Sequence, residues 1–313
     1  MLPAAIPAPS SAAAELRRAG SSVRVAVSRG APITSFHAGG HEWCGAGPWQ
    51  DYAPSAGTCA LPTFVAGAPR LTFPEGGLLA TDEPVVDVEA DGAGGAITAR
   101  WEPSAYPLGW TRRVALDAEG ALCARYEVTN LQRTPLPFVW GMPVPLPWSS
   151  SVAIDIARGA RARVAASYGD GLARAGSEFA WPALRDGGRL VDLTGPVRLG
   201  SRRAVLCYVE LQRGGFVVRA DGAALEISGE AGIVTHARVW VNNDADAPGA
   251  EPRRWWGGWW RRRAPHCEVA AGAAVGAPDL LSDAVGAWRA ARWVEPGQVV
   301  RWTMRLRPVP SPT

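Results

Sequence analysis

The stretch LCARYEVTNLQRTPLPFVWGMPVPLPW, residues 122–148, carries the clearest structural pattern in the chain. Its first ten residues alternate between apolar and polar side chains, and a Pro-containing turn then leads into a strongly apolar run. Alternation with a period of two over four to eight residues is typical of a half-buried antiparallel strand. The stretch therefore predicts one alternating strand, followed by an apolar strand that ends at Trp140.

The same alternation recurs along the chain in SVRVAVSR, VVDVEA, AVLCYVEL, THARVWVN and VVRWTMRLRPV, with Gly, Pro and Asp between the segments. Helical patterns are few: APDLLSDAVGAWRAARW from Ala277 predicts one helix, and AAAELRRAG near the N-terminus predicts a shorter one. We therefore expect an all-β protein, a large antiparallel β-sandwich with one or two short helices. Residues 1–20 are predicted to form a disordered or frayed tail, and residues 21–313 a single domain.

The overall charge limits the classes of partner. The chain has 313 residues, of which 47% are hydrophobic, and a net charge of +3. The segment RRWWGGWWRRR, residues 253–263, supplies five arginines, so the rest of the chain is slightly acidic. A broad basic face, which nucleic-acid binding requires, is not expected. The five cysteines are widely spaced and odd in number, which favours reduced thiols over a disulfide framework.

No targeting or membrane segment is apparent. The N-terminal residues lack a basic region, and no run of about 18 apolar residues occurs, so we expect a soluble, cytoplasmic protein. The pair His37 and His41 in HAGGH suggests a metal site, but a Gly-Gly turn between two strand ends explains it as well. Without a nearby carboxylate or Cys cluster, no metal or cofactor is expected.

Three segments together resemble the aldose 1-epimerase (galactose mutarotase-like) family. They are GPWQDYAPSAGTCALPTF with LTFPEGGLLATDEPVV, then residues 122–148, and finally HCEVAAGAAVGAPDLLSDAVGAWRAARWVEPGQVVRWTMRL. The resemblance covers roughly residues 23–306 and implies the large β-sandwich of that family, its supersandwich fold. It also implies interconversion of the α and β anomers of an aldose by ring opening, without a cofactor. A carboxylate acts as general base on the anomeric hydroxyl, and a histidine protonates the ring oxygen.

The resemblance assigns the base but not the acid. Glu268 in HCEVA stands where the family has its catalytic glutamate. The first histidine motif appears as PEGGLL, with Gly76 in the histidine position, and the W-G-x-H-P motif appears as WGMPVP, with Met142 taken as the position of the second histidine. Neither residue donates a proton. The alternative to an epimerase is therefore a catalytically impaired or inactive sugar-binding module.

Four further positions are candidate substrate-binding residues. Asp51 in WQDYAPS resembles an acidic residue on the sugar face, or else it caps a turn. Arg70 either binds sugar hydroxyls or is a solvated loop residue. Trp140 either stacks on a sugar or belongs to the core. His266 lies two residues before Glu268, so both share one side of a strand, although a plain edge position explains it as well.

The Trp/Arg segment 253–263 lies just before Glu268 in the sequence. Its Gly257-Gly258 pair suits a hairpin tip, so the segment is a candidate lid in which Trp255 stacks on the substrate. A loop docked on the protein's own surface, an oligomer contact and a membrane-interface finger remain alternatives. A third hypothesis for function is an interaction scaffold that uses this segment. The expected partner is a monosaccharide or sugar derivative; the sequence leaves the particular sugar and the oligomeric state open.

Overall fold

The computed structural model describes residues 13–27, 30–44, 63–66, 84–89, 95–101, 108–169, 172–195, 199, 202–244 and 267–310, with the backbone alone at 63–66 and at Glu268. Strands dominate, and the described part contains one short helix. The elements in chain order are β1 Ala13–Arg18, β2 Ser21–Ala26, β3 Ile33–Ala38, β4 His41–Glu42, β5 Thr63–Ala66, β6 Val85–Glu89, β7 Ala96–Trp101, β8 Leu108–Leu116, β9 Leu122–Asn130, β10 Leu136–Leu146, β11 Ala153–Asp155, β12 Arg161–Tyr168, β13 Glu178–Ala180, β14 Ala183–Asp186, β15 Arg189–Asp192, β16 Arg203–Glu210, β17 Gly215–Ala220, β18 Ala223–Gly229, β19 His236–Asn243, β20 Cys267–Val275, α1 Leu281–Val285, β21 Arg292–Val294 and β22 Val299–Val309.

Two large sheets form the sandwich. The front sheet has the order β13-β12-β16-β19-β20-β10-β21, with β5 also paired to β10. The back sheet has the order β11-β17-β18-β22-β9-β8-β7-β6. Strands β1 to β4 form a smaller sheet and β14 and β15 a separate hairpin, and all these strand pairs are antiparallel. The predicted all-β, antiparallel sandwich is confirmed.

Aromatic side chains fill the interior between the two sheets. Tyr126 on β9 stacks on Trp302 of β22 with ring centroids 5.4 Å apart, and Trp140 on β10 meets the same indole edge-on at 5.4 Å. Phe138 stacks on Trp302 from the front sheet as well. Such aromatic pairs contribute roughly 0.5–1.5 kcal/mol each beyond their buried area. The two strands of residues 122–148 thus contribute Tyr126, Phe138 and Trp140 to the interior between the sheets.

Asn130 joins three segments at the end of β9. It is fully buried, and its amide group donates to the carbonyl oxygens of Thr134 and Val294, each at 2.8 Å. Its side-chain oxygen accepts a hydrogen bond from the backbone of Gln132 at 2.8 Å. Asn130, which ends the Y-x-V-x-N motif, therefore fixes the turn between β9 and β10 and links β21 to that turn.

The predicted helix from Ala277 is much shorter than its pattern indicates. Only Leu281–Val285 are helical, with Leu281 and Ala284 packed on Val139 of β10. The backbone leaves the helical region at Gly286, and Arg289 adopts a positive φ of 51°. Residues of the expected second half instead approach the front sheet, and β21 begins at Arg292.

The predicted N-terminal helix is wrong, because Ala13–Arg18 form strand β1, paired with β2. Ala14 and Leu16 are buried while their neighbours are exposed, a period of two that a strand satisfies and a helix does not. Strand β1 therefore lies within residues 1–20, which were expected to form a tail. The assignment of residues 21–313 to one domain stays a prediction.

His37 and His41 flank a tight turn. They lie on β3 and β4, and Gly39 and Gly40 between them have φ values of 60° and 78°, which glycine adopts without steric cost. The HAGGH pattern is thus the Gly-Gly turn considered above. In the described ranges no group of three or more His, Cys, Asp or Glu side chains is placed to hold a metal ion. Nor does any helix in these ranges have the length and apolarity that a membrane crossing needs.

Candidate functional site

The front sheet has an inner face toward the core and an outer face on its other side. On β19 the inner residues are Ala237, Val239 and Val241, and on β20 they are Val269, Ala271, Ala273 and Val275. Because side chains alternate along a strand, the intervening positions belong to the outer face. These are His236, Arg238, Trp240 and Asn242 on β19, and positions 268, 270, 272 and 274 on β20.

The strand register arranges these positions in rows across the sheet. Asn242 pairs with Glu268, Trp240 with Ala270, and Arg238 with Gly272. On the other side of β20, strand β10 contributes Pro145 to the second row and Pro143 to the third. The row of Glu268 is therefore next to the row of Trp240, and the row of Arg238 comes after that.

Trp240 is a candidate ligand-contacting residue that the sequence analysis missed. It is half-buried, and its ring meets Tyr168 of β12 edge-on, with centroids 6.2 Å apart. Its partner across the strand pair is the small residue Ala270, the outer-face position next to 268 on β20. The alternation in THARVWVN already indicates that Trp240 faces away from the core, on the side opposite to Val239 and Val241. What the sequence lacked was the register that brings it beside Glu268.

Asn242 is the residue directly opposite Glu268. It is a polar side chain that is only 1% exposed. Directly paired residues on antiparallel strands have Cβ atoms about 4.5–5.5 Å apart, and diagonal neighbours such as Trp240 and Glu268 are about 7–8 Å apart. Because the Asn242 side chain is almost fully enclosed, Trp240 is the neighbour of Glu268 on β19 that stays accessible to a ligand.

The interpretation of Met142 as the second histidine position is wrong. Its side chain is fully buried on the inner face of β10, where its sulfur accepts a hydrogen bond from the Tyr126 hydroxyl at 3.3 Å. Matched letter by letter, the histidine of W-G-x-H-P falls on the next residue, Pro143, which belongs to the outer face. Proline has no side-chain proton donor, so the conclusion that the acid is lacking at this motif is unchanged.

Trp140 is also an inner-face residue. Its side chain is 2% exposed and lies against Tyr126, with ring centroids 4.6 Å apart, as well as against Trp302. An indole enclosed on all sides by the core offers no face on which a sugar stacks. The structure therefore contradicts Trp140 as a substrate-binding residue and supports the core alternative.

Strands β10 and β20 approach unusually closely in the row of Pro143. A Cβ atom added to Gly272 would overlap with the carbonyl oxygen of Met142 and would lie 2.6 Å from the Cα of Pro143. Only glycine fits at such a contact without moving the neighbouring backbone. The row of Pro143 thus has neither an acid nor a base on β10 or β20, and it lies about 13 Å along the strand from the row of Glu268.

A polar cluster lies at the end of this row. Tyr208 of β16 donates a hydrogen bond from its hydroxyl to Asp279, and the Nε of Arg238 donates to the other carboxylate oxygen at 2.9 Å. Burial, together with the charge of Asp279, raises the pKa of Tyr208 well above its usual value. Burial acts against the positive charge of Arg238, but Asp279 outweighs it and raises the arginine pKa. At neutral pH the cluster is a neutral phenol beside an ion pair.

His236 is the described histidine on the outer face. Its Nδ1 is 2.8 Å from the Thr235 hydroxyl, and burial lowers its pKa to about 4, so the ring is neutral at pH 7. It pairs with Ala274, whereas Asn242 pairs with Glu268. Six residues of strand separate these rows, or about 20 Å. His236 is therefore too distant to protonate a sugar held at Glu268, and His37 and His41 belong to the separate β3–β4 hairpin.

The other candidate site residues lie outside the described residues. They are Asp51, Arg70, Gly76, Trp255 and His266, and the whole Trp/Arg segment 253–263 is also outside them. Their proposed roles stay predictions. Of the predicted site residues, the structure thus gives the strand position of Glu268 and the core position of Trp140.

Comparisons with known proteins identify the fold. No family model matches the sequence, and no curated protein matches it. Solved structures do match over nearly the whole chain. The Slr1438 protein from Synechocystis sp. PCC 6803 is 11% identical with a TM-score of 0.65, covering 98% of this chain and 99% of that one.

Two further matches carry descriptive names. A galactose mutarotase-like protein from Lactobacillus casei ATCC 334 is 14% identical with a TM-score of 0.59, covering 95% of this chain and 100% of its own. A galactose mutarotase related enzyme from Lactobacillus acidophilus is 13% identical with a TM-score of 0.57, covering 96% and 98%. At such identities the likeness concerns the fold. The chain has the β-sandwich fold of galactose mutarotase-like proteins.

Proposed function

We propose that this protein binds a carbohydrate on the outer face of the front sheet, in the rows of Glu268 and Trp240. The observation that carries the proposal is the register of β19 and β20, which places Asn242 opposite Glu268 and Trp240 diagonally beside it. The shared fold with galactose mutarotase-like proteins supports a sugar as the ligand.

Glu268 and Trp240 suit a sugar for different reasons. A carboxylate accepts hydrogen bonds from hydroxyl groups. An indole presents a large apolar face with a single polar N–H, which matches the C–H face of a pyranose ring bordered by its hydroxyls. Together they place a polar group beside an aromatic surface, a combination that is typical of small-molecule sites.

We further propose that interconversion of anomers is slow or absent. The reaction requires an acid at the ring oxygen, and one positioned acid or base contributes about 10²–10⁴-fold to a rate. Among the described residues, Pro143 and the buried Met142 supply none, and His236 lies about 20 Å along the sheet from the row of Glu268. The runner-up function is an aldose 1-epimerase-like isomerase in which Glu268 acts alone as general base and water supplies the proton.

Polarimetry separates these two functions. Freshly dissolved α-D-glucose and α-D-galactose are followed with the wild-type protein and with Glu268→Gln. We expect both proteins to match the uncatalysed rate. A wild-type rate above that of Glu268→Gln would establish the epimerase function instead.

Binding is tested separately by the change in tryptophan fluorescence during titration with the same two sugars. A saturable change that is weakened in Trp240→Ala supports the proposed site, and no change with either sugar contradicts it. Isosteric Glu268→Gln keeps the shape of the side chain and isolates the contribution of its charge.

A soluble, cytoplasmic location is part of this proposal.

The scaffold hypothesis predicts a different result. Deletion of residues 253–263 would then abolish binding to a macromolecular partner while leaving sugar titrations and the unfolding transition unchanged.

A further inference from the structure

We propose that the ligand is a disaccharide or a longer glycan, because the outer face carries a second polar subsite formed by Asp279 and Arg238. This inference rests on the proposed function. It assigns the second sugar ring to the cluster at the end of the Gly272 row.

The carboxylate of Asp279 is held in a fixed orientation but keeps hydrogen-bonding capacity. One oxygen accepts the Tyr208 hydroxyl and the other accepts the Nε of Arg238. A carboxylate has about four acceptor positions, and these two contacts with described residues occupy two of them. The side chain of Asp279 is 37% exposed and that of Arg238 is 18% exposed, so the pair is reachable from solvent while its partners are buried.

The segment that carries Asp279 is rigidly packed onto the sheet. On one side of α1, Leu281 contacts Val139 of β10. Farther along, the Trp288 ring meets Tyr208 edge-on at 5.9 Å, and the guanidinium of Arg163 lies over the indole at 4.4 Å. A carboxylate fixed in this way loses little conformational freedom when a ligand binds, which favours affinity.

The separation of the two subsites sets the length of the ligand. The rows of Glu268 and Gly272 are four residues apart on β20, which is about 13 Å along the strand. Trp240 occupies the row between them. A single pyranose ring stacked on Trp240 meets the polar groups of one neighbouring row, whereas simultaneous contact with both rows needs a second ring.

The spacing also indicates binding rather than cleavage. The two carboxyl groups of glycoside hydrolases lie about 5–9.5 Å apart on either side of one glycosidic bond. Here Asp279 is instead paired with Arg238, whose row lies about 13 Å along the strand from the row of Glu268. We therefore assign no hydrolytic step to this pair.

Isothermal titration calorimetry of the wild-type protein tests the inference. D-Glucose is compared with maltose and cellobiose, and D-galactose with lactose. We expect at least one disaccharide to bind about tenfold or more tightly than its monosaccharide. Equal affinities would overturn the second subsite while leaving the proposed function intact. Absence of binding by every sugar would overturn both.

A double variant tests whether the Arg238–Asp279 pair causes the tighter binding of disaccharides. In Arg238→Gln/Asp279→Asn both charges are removed together, so no buried charge is left unpaired. We expect this variant to bind disaccharides as weakly as monosaccharides while keeping the monosaccharide affinity. Asp283→Asn, an exposed acidic residue on the same segment, is the matched control and keeps the gain. The assignment to the Arg238–Asp279 pair would be overturned if the double variant still bound disaccharides more tightly than monosaccharides. It would also be overturned if Asp283→Asn lost this difference.

Discussion

The Tyr126 hydroxyl donates a hydrogen bond to the sulfur of Met142, 3.3 Å away, in the closed interior of the sandwich. Burial raises the pKa of Tyr126 to about 12, so the phenol stays protonated and keeps donating at physiological pH. Position 142 is therefore part of the core between the sheets. Its neighbour Pro143 faces the side on which a ligand is proposed to bind.

Met142→His should destabilise the fold without creating an epimerase. The substitution buries an imidazole among aromatic rings and removes the acceptor of the Tyr126 hydroxyl, so we expect a loss of about 2–5 kcal/mol in the free energy of unfolding. Chemical denaturation measures the loss, and polarimetry should show no faster mutarotation. Pro143→His is the comparison, because it places the imidazole on the outer face. Equal stability of Met142→His and the wild type would contradict the core position.

The two tryptophans Trp140 and Trp240 should respond to truncation in opposite ways. Trp140→Ala removes a fully enclosed indole and should cost about 3–5 kcal/mol of stability. Trp240→Ala removes a half-buried ring from the outer face and should weaken sugar binding at a much smaller cost in stability. Denaturation curves and sugar titrations of both variants provide the comparison. Loss of binding in a folded Trp140→Ala protein with intact binding in Trp240→Ala would reverse the assignment.

Asn130→Ala should destabilise the junction of β9, β10 and β21. The variant loses three hydrogen bonds and leaves the Thr134 and Val294 carbonyl groups without their donor, for an expected cost of about 2–4 kcal/mol. Arg301→Ala is the control: it breaks an exposed pair with Glu127 and should cost less than about 1 kcal/mol. Urea unfolding compares the two. A cost for Asn130→Ala no greater than that of the control would contradict the structural role.

His236 should make stability depend on pH in the acid range. Burial lowers its pKa from 6.5 to about 4 in the folded protein, so between these values the unfolded chain binds more protons than the folded one. Stability therefore rises with pH from about 4 to about 6.5 and receives no further change from this residue above that range. His236→Gln should flatten this part of the profile, measured by denaturant unfolding at several pH values. His37→Gln, an exposed histidine, controls for the substitution. An unchanged slope in His236→Gln would contradict the neutral, buried histidine.

The fold was predictable because its main signal is local. Alternation in residues 122–148 and in the later strands reports directly which side chains face the core. The helical patterns failed for a physical reason: in Ala13–Arg18 the apolar residues Ala14 and Leu16 also fit a strand, and pairing with β2 decides between the two. After Val285, contacts of Trp288 with Tyr208 and Arg163 override helix propensity.

The site was less predictable because it depends on register between distant strands. A motif match by itself did not show that Met142 and Trp140 face inward, although strict alternation from Phe138 indicates it. Trp240 and Asn242 became candidates only once β19 was aligned with β20. The partnership of Asp279 with Arg238 joins residues 41 positions apart, and no local pattern indicates it.

Sugar binding beside Glu268 is tested most directly by calorimetric titration of the wild-type protein with D-glucose and D-galactose, repeated with Trp240→Ala. We expect saturable binding of at least one sugar by the wild type and clearly weaker binding by a folded Trp240→Ala protein. Absence of binding by the wild type, or equal binding by both proteins, would contradict a sugar site in the rows of Glu268 and Trp240.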